Sequence, residues 1–246
     1  MDPFDVVLLL FGGLAAGVVN TMAGGGSLLT VPLLVLAGVP GNVANGSNRI
    51  GILTSMATAA AGFRRLGFSG WSRVLPVLVP VASGSVIGAV LVGQLTDETF
   101  EQVFGFLMVP ILVISLRPPR VDVASTDTRW SGPLATTVFL GIGVYGGAFQ
   151  VGIGLLLVLA LSRSGLDLVV ANSIKVVVIL AVTLAALPVF IIGGRIDWVP
   201  ALVLGAGFAV GGAIGARVTV IGGEKVIRPV LVLAVLGFAG RLLGLY

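Results

Sequence analysis

The chain has 246 residues, 57% of them hydrophobic and only 10% charged, with a mean hydropathy of +1.16. That is too apolar for a soluble domain and reads as an all-α, polytopic membrane protein; with no cysteine and no histidine, thiol and imidazole chemistry, disulfides and the usual zinc and copper ligands are excluded. A net charge of +4 and a pI near 10.3 would point a soluble protein towards nucleic acid, but charges confined to short loops between apolar segments instead orient a chain in a membrane.

The N-terminus, Met1-Asp2-Pro3-Phe4-Asp5, carries acids where a secretory signal carries lysine or arginine, so the apolar run 4–22 is expected to be a retained helix. Gly13 and Gly17 are spaced in it for close helix contact. Gly24-Gly25-Gly26-Ser27 then interrupts the chain, and the next apolar piece, 24–37, has fourteen residues. As a helix it would be about 21 Å long against a hydrocarbon core of roughly 30 Å. Such a piece reads as a broken or re-entrant helix, tolerated where protein or a polar cavity satisfies the open backbone.

Ala44-Asn45-Gly46-Ser47-Asn48-Arg49, a run of small polar residues ending in a cation, leads into a segment over 47–63 that stops at Arg64-Arg65. Arg73 completes a basic loop. The segment 75–95 carries Pro80, Gly84 and Gly88 on one face, Asp97, Glu98 and Glu101 form an acidic loop, and 103–116 closes a first membrane repeat, 1–116. Residues 117–129 are the longest polar stretch and the expected linker to a second repeat, 130–246. That half retraces the first, with segments expected at 134–150, 152–161, 168–192, 198–220 and 226–243. Gly152 and Gly154 answer Gly24 and Gly26, Lys175 answers Arg49, Trp198 answers Trp71, and Ala171-Asn172-Ser173-Ile174-Lys175 repeats the order of alanine, asparagine, serine and cation.

Loop charge reverses between the copies. The Arg64-Arg65-Arg73 loop is basic and the one after it acidic, whereas in the second copy the first of these positions holds Arg195 and Asp197 and the next is flanked by Arg217, Lys225 and Arg228. The positive-inside rule, applied to each copy, then gives inverted repeats with an odd number of crossings each. Five crossings per half, or three with a re-entrant hairpin, both fit. Either puts the linker in the cytoplasm and both termini outside.

Charged and polar groups inside a membrane are functional candidates because of what they cost; the competing reading of the two motifs is a capped helix start. A helix beginning at a glycine break directs free N–H groups and its positive end at whatever precedes it. Two such starts, opposed by inverted repeats, would converge on an anion near the midplane. The residues expected to bind it are Gly24, Gly25, Gly26, Ser27, Asn45, Ser47, Asn48, Arg49, Gln150, Gly152, Gly154, Asn172, Ser173 and Lys175. For the glycines the competing reading is helix packing. Trp71, Trp130 and Trp198 stand where indoles anchor at headgroup level, and Tyr145 and Gln150 either line a pathway or bond neighbouring helices. No phosphate-binding loop occurs and no acid falls in mid-segment, which argues against ATP-driven transport, intramembrane catalysis and a carboxylate proton relay.

The glycine cluster with Pro32, the 44–49 motif, and their repetition around Gly152-Ile153-Gly154 and 171–175 resemble the sulfite exporter (TauE/SafE) family over nearly the whole chain. The resemblance implies a multi-pass transporter of the prokaryotic inner membrane, without a cofactor, that exports small sulfur-containing anions such as sulfite, organosulfonates or sulfoacetate. Its expected partners are that substrate and the lipid bilayer, with no nucleic acid, and a homodimer is the assembly left open. An anion-selective channel, or a carrier of other small organic anions, is the alternative. Gln150-Val151 departs from the small residues expected before Gly152.

Overall fold

The computed structural model describes residues 1–68, 71–116, 132–162 and 168–221, which form nine α-helices and no strand. Helix α1 (Pro3–Ala23) opens on a capping box between Asp2 and Asp5 with proline in its first turn, and ends at Gly24, whose φ of +78° lets its N–H reach the carbonyls of Val19 and Asn20. After that reversal α2 (Ser27–Leu36) runs back along α1. Its ten residues span only about 15 Å. The pattern recurs: α6 (Gly132–Ala148) is followed by an equally short α7 (Ile153–Ser162), with left-handed residues at Gln150 and Gly152 between them. The expected short helices are therefore present, each as the second arm of a hairpin.

The longer elements are α3 (Gly41–Arg65), α4 (Trp71–Gly93), α5 (Asp97–Leu116), α8 (Leu168–Ile192) and α9 (Trp198–Ile221). Three helices, α1, α8 and α9, contain stretches long and apolar enough to cross a membrane, and the outer surface carries exposed Leu75, Val79, Phe106, Ile192 and Leu202, as a lipid-facing surface does. Two boundaries differ from expectation. Helix α3 starts at Gly41, so the 44–49 motif lies within its first turns. Helix α5 starts at Asp97, so Asp97 and Glu98 occupy a first turn, where the helix dipole favours acids, and Asp97 also accepts from the Asn42 N–H at 2.8 Å in the first turn of α3. The linker 117–129, Trp130 and the last expected segment, 226–243, lie outside the described residues.

The main interfaces pair α1 with α9, α3 with α9 and α4 with α6. Glycines make them possible: a Cβ on Gly17 would press on Gly211 and Gly212, one on Gly211 on Gly17 and Val18, and those on Gly84, Gly88, Gly143 and Gly147 on backbone across the α4–α6 contact. The pairings also set directions. Gly13 meets Leu204 and Gly215 meets Val18 and Thr21, so α1 and α9 run the same way. Thr54 bonds Gly205 and Thr58 bonds Ala209, so α3 runs with them. Gly143 meets Val81 and Gly147 meets Ser85, so α6 runs with α4. Asn42, near the start of α3, bonds the carbonyls of Val92 and Leu95 at the end of α4, so α4 and α3 are antiparallel. The first helices of the two halves, α1 and α6, consequently run in opposite directions.

Candidate functional site

The tips of the two hairpins touch at Gly24 and Gly154; a Cβ on either would overlap the other's backbone. Lys175 from α8 lies beside this contact, and Arg49 from α3 lies at the end of α6 that leads into the second tip; both are wholly buried. The Lys175 ammonium donates to the carbonyls of Thr21 at 2.7 Å and Asn20 at 3.5 Å, and to Asn172 Oδ1 at 2.7 Å. The Arg49 guanidinium donates to the carbonyls of Gly146, Gly147 and Ala148 and lies 4.2 Å from the centre of the Phe190 ring. Each cation thus closes the C-terminal end of the other half's first helix, where the carbonyls point out of the helix and the dipole is negative.

The reading from sequence places these cations on an anion, beside the N-termini of the short helices. They sit at the same tips but bond the carbonyl ends of the long arms. Carbonyl dipoles do not neutralise a charge, however. Among the described residues no carboxylate is buried, and neither cation is in an ion pair. Removing a charge from water without a counter-charge costs several kcal/mol, so two uncompensated cations in one apolar interior make a strongly electropositive locus.

The other expected site residues divide. Asn48 joins the short helix to α3, donating to Ser27 Oγ at 3.2 Å and accepting from Thr30 Oγ1 at 2.5 Å. Asn45 donates to the Ala148 carbonyl at 2.8 Å, beside Arg49. Gly24, Gly25, Gly26, Ser27, Gly152 and Gly154 form the tips and short-helix starts themselves, and α2 has no side-chain cap at its Gly26 start. Gln150 belongs with them: it is the one non-glycine described residue with positive φ, at +59°, and its amide donates to Thr183 Oγ1 at 2.6 Å. Two serines are directed elsewhere. Ser47 Oγ accepts from the Asp197 N–H at 2.8 Å and docks the loop before α9, and Ser173 Oγ donates to the Val170 carbonyl of its own helix. The first motif does not cap its own helix, since α3 has no side-chain cap bond at Pro40 and Asn45 and Asn48 reach across to other elements.

Three participants escaped sequence reasoning. Asn20 accepts from the Gly26 N–H at 3.4 Å, Thr30 binds Asn48, and Thr183 binds Gln150. A signal for Asn20 does exist in the sequence, since Asn20-Thr21 is a polar pair at the end of an apolar run just before the glycines. Tyr145 takes the structural option, donating from its hydroxyl to the Val151 carbonyl at 2.7 Å.

A family model described as "Sulfite exporter TauE/SafE" matches residues 9–242. The chain is 28% identical to "Probable membrane transporter protein ORF9" of Sinorhizobium sp, covering 98% of this chain and 93% of that one. It is 29% identical to a "Probable membrane transporter protein" of Haemophilus influenzae over 93% and 91% of the two chains. Against "Probable membrane transporter protein YfcA" of Escherichia coli K12 the identity is 27%, over 99% and 91%. No solved structure matches the chain.

Proposed function

Because the chain belongs to the TauE/SafE sulfite exporter family and is a membrane transporter, we propose that its cargo is a small sulfur-containing anion, such as sulfite, an organosulfonate or sulfoacetate, bound where the two hairpin tips meet. The observation that carries this reading is the pair of wholly buried cations, Arg49 and Lys175, with no buried carboxylate among the described residues. An anion entering there supplies the missing counter-charge, and the open backbone of the glycine turns and of the α2 start supplies donors that a tetrahedral oxyanion can approach. Cargo of the opposite sign would meet two like charges in a medium of low dielectric. The described acids lie in loops or the first turns of helices (Asp2, Asp5, Asp97, Glu98 and Asp197) or, like Glu101, on the exposed second turn of α5, which favours passage over intramembrane chemistry.

The opposed directions of α1 and α6, and the exchange of cations between the halves, support two inverted repeats that rock about this site. The tips are in backbone contact, so the midpoint is closed, which favours a carrier over an open anion channel. We place the chain in the inner membrane with both termini outside, from loop charge. No carboxylate among the described residues is buried to serve as a proton relay, and an inside-negative potential of 100 mV drives each negative charge outward by about 2.3 kcal/mol, so the direction is export. Binding to the purified chain in lipid nanodiscs, tested across sulfite, thiosulfate, sulfoacetate and matched carboxylates, decides the cargo. Saturable binding of the sulfur anions is the expected result; preference for carboxylates would refute it.

A further inference from the structure

We propose that the two tips hold different ends of one ligand: the first tip an oxyanion, the second a hydroxyl group, making a short hydroxyalkanesulfonate the best-fitting class. This rests on the reading of an oxyanion site at the tips and concerns what else the ligand carries.

The first tip offers an unpaired donor. Asn20 Oδ1 accepts from the Gly26 N–H at 3.4 Å, and because a backbone N–H can only donate, the orientation of the amide is settled. Asn20 Nδ2 is therefore left buried with no partner. It belongs to the residue whose carbonyl, with that of Thr21, holds Lys175, next to the uncapped start of α2. A cation, a helix start and a free amide donor all favour negative charge.

The second tip differs at each corresponding place. The bonds of the two cations replace the glycine-for-glycine pairing read from sequence: Lys175 bonds the Asn20 and Thr21 carbonyls as Arg49 bonds those of Gly146 and Gly147, and the same offset takes Asn20 to Gly146 and Gly24 to Gln150. Gly146 has no side chain to answer Asn20; a Cβ there would collide with the side chain of Ile153, which fills that space with hydrocarbon. Gln150 Nε2 donates to Thr183 Oγ1 at 2.6 Å, and the single Thr183 hydroxyl proton goes to the Ile179 carbonyl at 2.8 Å, so this amide too has only one workable orientation. The group left buried and unpaired is its acceptor, Gln150 Oε1. The Arg49 guanidinium, taken up by three carbonyls and the Phe190 ring, leaves only Nε open.

An acceptor and a cationic N–H at one tip repel different things. The acceptor disfavours a second oxyanion, and the guanidinium disfavours an ammonium. A hydroxyl is the neutral group compatible with both, able to donate to Gln150 Oε1 and to accept from Arg49 Nε. The left-handed backbone of Gln150 is in keeping with this, because strain at a non-glycine residue persists where the side chain is needed.

The test is calorimetric binding to the full chain in lipid nanodiscs, using ethanesulfonate, 2-hydroxyethanesulfonate and 2-aminoethanesulfonate as probes built on the same two-carbon chain. The wild type is expected to bind the hydroxyl compound at least about tenfold more tightly than ethanesulfonate, since one neutral hydrogen bond supplies about that much and the bond from the guanidinium adds to it, with the amino compound weakest. Gln150→Gly, which suits the left-handed backbone, should abolish the preference, bringing the ratio of the two affinities to about one. Gln150→Asn, which shortens the reach and also tolerates that backbone, should do the same. Asn20→Ala should weaken all three probes alike. Equal affinity for the first two probes, or an equal loss of both in Gln150→Gly, overturns the hydroxyl assignment alone. Failure of the wild type to bind any sulfonate overturns the oxyanion reading beneath it.

Discussion

Closure of the two hairpin tips on each other depends on backbone that only glycine allows, and alanine at three glycines separates the two physical effects involved. Gly38 has φ +85°, and a Cβ there would have nothing within 4 Å, so Gly38→Ala meets only the left-handed backbone penalty, about 1–2 kcal/mol. Gly154 is not left-handed, but its Cβ would run into the backbone of Gly24, with the nitrogen only 3.2 Å away. Gly154→Ala therefore meets only overpacking, about 1–3 kcal/mol. Gly24 has φ +78° and its Cβ would lie 2.8 and 2.9 Å from the carbonyl carbon and nitrogen of Gly154, so Gly24→Ala should cost roughly the sum, about 2–5 kcal/mol. Reversible unfolding in mixed micelles against increasing dodecyl sulfate measures all three. If Gly24→Ala costs no more than Gly38→Ala, the tips are not in contact and the site is not built as described.

Lys175→Gln should weaken sulfonate binding roughly ten- to a hundredfold, the loss of a hydrogen bond to a charged group, with Arg49→Gln also impaired. Arg64→Gln, exposed at the end of α3, should be nearly silent, and equal losses at all three would indicate a folding defect. Because the chain has no cysteine, single cysteines report sidedness directly. Arg195 donates to the Gly93 carbonyl at 2.9 Å, near the start of α5, while Arg65 and Arg217 line one groove of about 590 Å³ towards the other end of α9. Cysteines at Glu98 and Arg195 should be labelled from outside and one at Arg65 should not; labelling of Arg65 and Arg195 from the same side would contradict the inverted arrangement.

The helical framework was legible in the sequence because apolar runs, glycine breaks and prolines mark helix ends locally: α8 and α9 begin at Leu168 and Trp198, where the pattern puts them. The start of α3 was not, since Asn42 to Asn48 look like a loop by polarity. They are helical because other elements satisfy them, Asn42 by the end of α4 and Asn48 by α2. Of the site, the cations and glycines could be read from their cost in a membrane and from their repetition. Their partners could not. That Arg49 reaches α6 and Lys175 reaches α1 follows from interlocking of the two halves, which no local pattern encodes, and Ser47 and Ser173 share the motif yet face other bonds.

The claim that this is a carrier of sulfur anions working through the buried cations is tested most directly by flux. Proteoliposomes holding the purified chain would be clamped by potassium and valinomycin, and uptake of labelled sulfonate followed against a matched carboxylate. Saturable sulfonate flux that follows the potential, shows counterflow and falls at least about tenfold in Lys175→Gln is the predicted result, from the loss of one charge-assisted hydrogen bond. Flux that ignores the potential and follows a proton or sodium gradient at zero potential, or that is undiminished in both Lys175→Gln and Arg49→Gln, would contradict it.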